Sequence, residues 1–125
     1  MKANELRIGN LVYSKETNQI QKITGLTDEN PFINAITFDY INYDEIEAIP
    51  ITEEWLLKFG FDKSCMFYRL ESEKFYFSYN SMHPKFEIQY NSRDGHILFP
   101  VDLTYLHQLQ NLYFALTNEE LEMNY

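Results

Sequence analysis

Cysteine is almost missing from this chain. Cys65 is the only one among 125 residues, so no intramolecular disulfide can form, and a cysteine-based zinc site would need ligands from another chain. A reducing, cytoplasmic setting is the expectation. Glycine is scarce as well, with four residues. Gly9 and Gly25 flank the first expected hairpin, Gly60 ends an expected helix and Gly95 completes an Asp-Gly turn, so none is left to build a phosphate cradle of the P-loop or GxGxxG kind. Long apolar runs are absent too. No stretch approaches the roughly 20 residues of a membrane span, and Met1-Lys2-Ala3-Asn4-Glu5-Leu6-Arg7 lacks the apolar core of a signal peptide, which predicts a soluble protein with no membrane partner.

Positive charge is missing from two long stretches. Residues 23–57 hold eight carboxylates, and residues 94–125 hold five, with no Lys or Arg in either; residues 1–22 and 58–93 each sum to +2, giving a net charge of −9. Such a surface repels duplex phosphate, whose binding draws on several Lys or Arg acting together, so general DNA or RNA binding is not expected. The acidic block at 23–57 reads as a solubilising surface, as a face that docks on a basic protein, or as a weak site for divalent cations. No Asp-x-Asp-x-Asp-Gly calcium loop is present.

What the chain has in excess is aromatic residues: ten Phe, ten Tyr and one Trp, 17% of the sequence. The length fits one domain, or two small subdomains at 1–50 and 51–125, with Pro50 as the seam. In the first part, β-type runs at 6–13 and 19–26 around a Thr17-Asn18 turn predict a hairpin, and runs at 35–40 and 45–50 predict two more strands. This pattern suggests a small SH3-like β barrel or open roll. Thr52 is the expected N-cap of a short helix with Glu53 and Glu54 in its first turn, an apolar stripe of Trp55, Leu56 and Phe59, and a stop at Lys58 and Gly60. Strands at 66–70, 74–79, 86–90 and 96–99 form an expected antiparallel β meander. Asp102 is the expected cap of a C-terminal helix with Leu103, Leu106, Leu109, Tyr113 and Leu116 on one face, covering the meander, and Thr117-Asn118-Glu119-Glu120 reads as a capping box. The class is α+β.

The aromatics are densest in the meander, where Phe75, Phe77 and Tyr79 alternate with Tyr76 and Ser78, and Phe67 and Tyr68 point oppositely. Three readings stay open for the second aromatic face: intramolecular packing, a homo-oligomer interface, or a stacking platform for a base or sugar. The third has candidate ligand-binding residues in Tyr68, Arg69, Lys74, Tyr76, His83 and Arg93, which combine rings with three of the six Lys and Arg residues beyond the N-terminal segment. No nucleophile elbow and no HExxH run accompanies Cys65, which reads as a small core residue entering a strand. His107 reads as an ordinary hydrogen-bonded helix residue. No enzyme, cofactor or metal site is expected.

Three segments, Leu6-Arg7-Ile8-Gly9-Asn10-Leu11-Val12-Tyr13, Ile49-Pro50-Ile51-Thr52-Glu53-Glu54-Trp55-Leu56-Leu57-Lys58-Phe59-Gly60-Phe61 and His107-Gln108-Leu109-Gln110-Asn111-Leu112-Tyr113-Phe114-Ala115-Leu116-Thr117, carry a resemblance. The chain resembles a family of small uncharacterised proteins from Bacteroidetes genomes, their phages and mobile elements. The resemblance implies a cytoplasmic accessory protein of a phage or mobile element and brings no activity with it. The leading expectation is a non-enzymatic protein that self-associates and binds a host or phage protein. The alternatives are a small-molecule sponge that sequesters a nucleotide signal, and a structural or assembly protein.

Overall fold

The computed structural model describes residues 1, 3–27, 31–33, 39–40, 43–92 and 95–123. They divide into two units, one of Met1–Pro50 with Tyr105–Asn111 and the other of Ile51–Thr104 with Leu112–Tyr125.

In the first unit, β1 (Leu11–Ser14) and β2 (Gln19–Leu26) form the expected hairpin. Its connection places Asn18 at φ 55°, a backbone that asparagine tolerates better than most residues, and the Tyr13 hydroxyl donates to Asn18 Oδ1 at 3.1 Å. Ser14 is fully buried, and its Oγ accepts from the Thr17 N–H at 3.3 Å. The strand begins five residues later than the sequence suggests: 6–10 form a turn in which Gly9 takes φ 101°. With β3 (Pro31–Ile33), β4 (Asp39–Tyr40) and β5 (Ile46–Glu47) the sheet has the order β4-β3-β2-β1-β5, all antiparallel where paired. Most of the strand expected at 35–40 lies outside the described residues. The sheet is open: among the described residues β4 and β5 do not pair, so no barrel closes.

Leu6, Val12, Ile23 and Ile46 form the core of this unit, with Leu26 and Tyr43 against it. Leu106 and Leu109, from the first half of the C-terminal helix α2 (Leu106–Thr117), are fully buried. Burying such side chains contributes roughly 1.5–3 kcal/mol each. Polar groups are buried beside them. Gln110 Oε1 accepts from the Leu11 N–H at 3.0 Å while its Nε2 donates to the Gly9 carbonyl at 3.3 Å. Asn10 Nδ2 donates to Asn111 Oδ1 at 2.8 Å, and Asn10 Oδ1 accepts from the Arg7 N–H at 2.7 Å.

Helix α2 starts four residues after the expected cap. Asp102 does not cap it; the Gln108 side chain reaches back to accept from the Tyr105 N–H at 3.0 Å, and Tyr105 bridges to Pro50, with 102–104 outside the helix. At its other end Asn118 turns left-handed at φ 59° and donates to the Phe114 carbonyl at 2.8 Å. Thr117 does not open a new helical turn; its Oγ1 donates to the Tyr113 carbonyl and accepts from the Glu119 N–H.

The second unit opens with α1 (Glu53–Lys58), and here the sequence reading holds residue by residue. Thr52 Oγ1 accepts from the Trp55 N–H, Leu56 and Phe59 are buried, and Gly60 at φ 89° donates to Leu57 while Phe61 donates to Leu56. These two bonds satisfy carbonyls that a helix end would otherwise leave open. The strands β6 (Asp62–Ser64), β7 (Phe67–Glu71), β8 (Phe75–Asn80), β9 (Lys85–Ser92) and β10 (Gly95–Val101) follow as one antiparallel meander in the order β10-β9-β8-β7-β6. Strand β6 is one more than expected. Cys65 sits with Met66 in the two-residue β6–β7 turn at φ 54° and is exposed, so it is not a core residue. Helix α1 packs against β7, and Tyr113 from the second half of α2 meets Phe77 with ring centroids 5.4 Å apart.

Gln110 serves two backbone groups with one side chain, so Gln110→Leu leaves the buried Leu11 N–H without its acceptor and is expected to cost about 1–3 kcal/mol in chemical denaturation. His107 is 5% exposed, stacks on Tyr105 and has no hydrogen-bond partner at Nδ1. Burial pushes its pKa below the ordinary 6.5, with Glu5 pulling weakly the other way. Between the lowered value and 6.5 the unfolded chain takes up a proton that the folded chain refuses, so stability is full above 6.5 and falls as the pH drops below it. The drop in melting temperature from neutral pH to about pH 5 should be smaller in His107→Gln than in the parent.

Candidate functional site

Strand alternation and the pairing register decide which meander side chains share a face. Tyr68, Leu70, Phe75, Phe77, Tyr79, Phe86, Ile88, Tyr90, Phe99 and Val101 fall on one face. Tyr68, Phe77, Phe86 and Ile88 are each no more than 2% exposed, and Phe75–Tyr90 and Tyr79–Phe86 pack ring against ring at 5.2 and 4.8 Å. Burial pushes the Tyr79 and Tyr113 phenols up, helped by the nearby carboxylates of Glu53 and Glu119 respectively. Intramolecular packing therefore accounts for most of the aromatic density of the meander.

The opposite face is a grid of polar and charged residues with two rings in it. Three adjacent strands set out its rows: Phe67, Asn80 and Lys85 lie side by side, next to them Arg69, Ser78 and Glu87, and next again Glu71, Tyr76 and Gln89. The Arg69 guanidinium lies 5.2 Å from the Phe67 ring centre and 5.9 Å from that of Tyr76, so one cation touches both aromatic residues. The middle strand carries the short side chains Ser78 and Asn80 between longer ones on β7 and β9. That difference in length hollows a depression of about 300 Å³ lined by Phe67, Ser78, Asn80, His83, Lys85 and Glu87. His83 reaches it from the 81–84 turn, which Asn80 shapes by accepting from the Met82 and His83 N–H groups.

The six candidate residues thus separate. Arg69 and Tyr76 come together on the polar face, and His83 lines the depression on that same face. Tyr68 lies on the other face, in the core, beneath Lys63, whose ammonium is 5.7 Å from the ring centre. Lys74 is exposed at the β7–β8 connection, where it lines a second depression of about 180 Å³ with Glu73, Phe75, Leu116, Thr117 and Glu119 among others. Arg93 lies outside the described residues. Phe67, Ser78, Asn80, Lys85 and Glu87 line the depression with His83. Their pairwise spacing by two along each strand was visible in the sequence, but which pair stands opposite which depends on the length of each turn.

Among the described residues no group of three or more His, Cys, Asp or Glu is arranged to hold a metal ion. No helix among them is long and apolar enough to cross a membrane.

The division between the faces predicts unequal costs. Phe77→Ala should destabilise by about 3–5 kcal/mol in chemical denaturation, as emptying a packed aromatic site does. Arg69→Ser, on the exposed face, should change stability by less than about 1 kcal/mol. Comparison with protein-family models, with curated proteins and with solved structures finds no match.

Proposed function

We propose that the protein is a non-catalytic interaction module that assembles with copies of itself through β10. The observation that supports this reading is the contrast between the two outer strands of the meander. Strand β6 is three residues long and carries Asp62 and Lys63, both exposed, which is how a sheet edge avoids pairing with other chains. Strand β10 is seven residues long, Gly95-His96-Ile97-Leu98-Phe99-Pro100-Val101, without a Lys, Arg, Asp or Glu, and among the described residues it pairs with β9 alone. Ile97 and Leu98, on opposite faces, are each 58% exposed. In a chain of net charge −9 this uncharged strand is where two copies approach with least repulsion. Antiparallel pairing of two β10 strands about a two-fold axis makes the interface self-complementary and removes the open edge.

The setting follows from the resemblance of the three sequence segments: a cytoplasmic accessory protein of a phage or mobile element, acting on a host or phage protein. The open sheet of the first unit is read as an SH3-like roll, a form of sheet often used for protein contacts.

Light scattering of the purified chain should give a mass at least twice 15.0 kDa, and the double variant Ile97→Lys, Leu98→Lys should run as a folded monomer. A parent protein that stays monomeric at high concentration, or a double variant that keeps the parent's mass, overturns the reading.

A further inference from the structure

We infer that the depression on the polar face of the meander is a binding site for a mononucleotide, meaning a planar heteroaromatic ring joined through a sugar to one phosphate. This site is separate from the β10 edge and does not rest on self-assembly. Ser78 and Asn80 form its floor, Phe67 walls it on β7, and Lys85 and Glu87 wall it on β9, with His83 at one end. Two strand spacings separate the walls, about 10 Å, which admits one flat ring. Phe67 offers a ring face, and base–aromatic stacking tolerates any base.

The charges then set the direction of the ligand. Lys85 and His83 are the donors that attract phosphate; Glu87, two residues along β9 and about 7 Å from Lys85, accepts from sugar hydroxyls or an exocyclic amine and repels phosphate. Asn80 spends its Oδ1 on the Met82 and His83 N–H groups, which leaves its Nδ2 as a donor toward the ligand. A ring at Phe67, hydroxyls at Glu87 and an anion at Lys85 and His83 require all three parts in one molecule.

Volume decides the size class. At about 300 Å³ the depression stands at the lower end of small-molecule sites, enough for one nucleotide and too little to enclose a dinucleotide. Salt dependence should be weak compared with a nucleic-acid-binding surface, because among the described residues one Lys lines the depression.

The test is titration of the isotope-labelled chain with AMP and UMP, followed by amide chemical shifts, with adenosine, ribose 5-phosphate and inorganic phosphate as separate arms. The expected result is saturable shifts clustered at Phe67, Ser78, Asn80, His83, Lys85 and Glu87, with adenosine and ribose 5-phosphate each binding at least about tenfold more weakly than AMP. Lys85→Glu, on an exposed side chain that the fold does not use, should weaken AMP at least about tenfold, and Phe67→Ala should do the same if it folds. Absence of shifts with every nucleotide at millimolar concentration overturns the proposal. So does a cluster of shifts elsewhere, equal binding of inorganic phosphate and AMP, or a Lys85→Glu variant that binds AMP as the parent does. Repeating the titration on the Ile97→Lys, Leu98→Lys variant separates this site from assembly, since its AMP affinity should be unchanged.

Discussion

The first unit depends on one side-chain amide. A glutamine carries a donor and an acceptor in the same plane, as a peptide group does, and Gln110 uses both: it accepts from the Leu11 N–H and donates to the Gly9 carbonyl. In effect a residue 99 positions away takes the place of a neighbouring strand at the first residue of β1. Without it, the buried Leu11 N–H would lack an acceptor, which costs more than the bond gains. Asn10 and Asn111 repeat the device, and Arg7 donates to the Gln110 carbonyl. The segments around Asn10 and Gln110 are therefore in contact, and polar groups join them.

The second unit solves a different problem. Its sheet has one face built almost wholly of Phe, Tyr, Leu, Ile and Val, and that face is covered by α1 and by residues from 112 onward. What is left over is small and specific. On the polar face a single guanidinium bridges two rings, and short residues on the central strand leave a hollow beside them. At the outer strand β10 the apolar face runs past what the helices cover, which leaves Ile97 in solvent. The hollow and the bare edge need no special folding, because both arise from where side-chain length and helix coverage stop.

Legibility differed by element. Helix α1 was readable to the residue, because Thr52, Glu53, Lys58 and Gly60 act on their own neighbours within one turn. The start of α2 was not, because Tyr105 is held by its bridge to Pro50, a contact 55 residues distant that overrides the local cap at Asp102. Cys65 misled for a related reason: its small size suits a core, but the position needed a tight turn, and β6 is too short to announce itself.

From the sequence alone, the class, the helix punctuation, the meander and the exclusion of glycine-cradled phosphate sites followed, since each rests on neighbours in the chain or on counting residues. Which aromatics are core and which are surface was a matter for the tertiary structure. Alternation puts Tyr68 and Arg69 on opposite faces whatever the fold, yet only strand register says that Arg69 stands next to Ser78, and only the covering helices say which face is buried. Pairing register and burial are set by contacts between residues far apart in the chain, and those do not exist until it has folded.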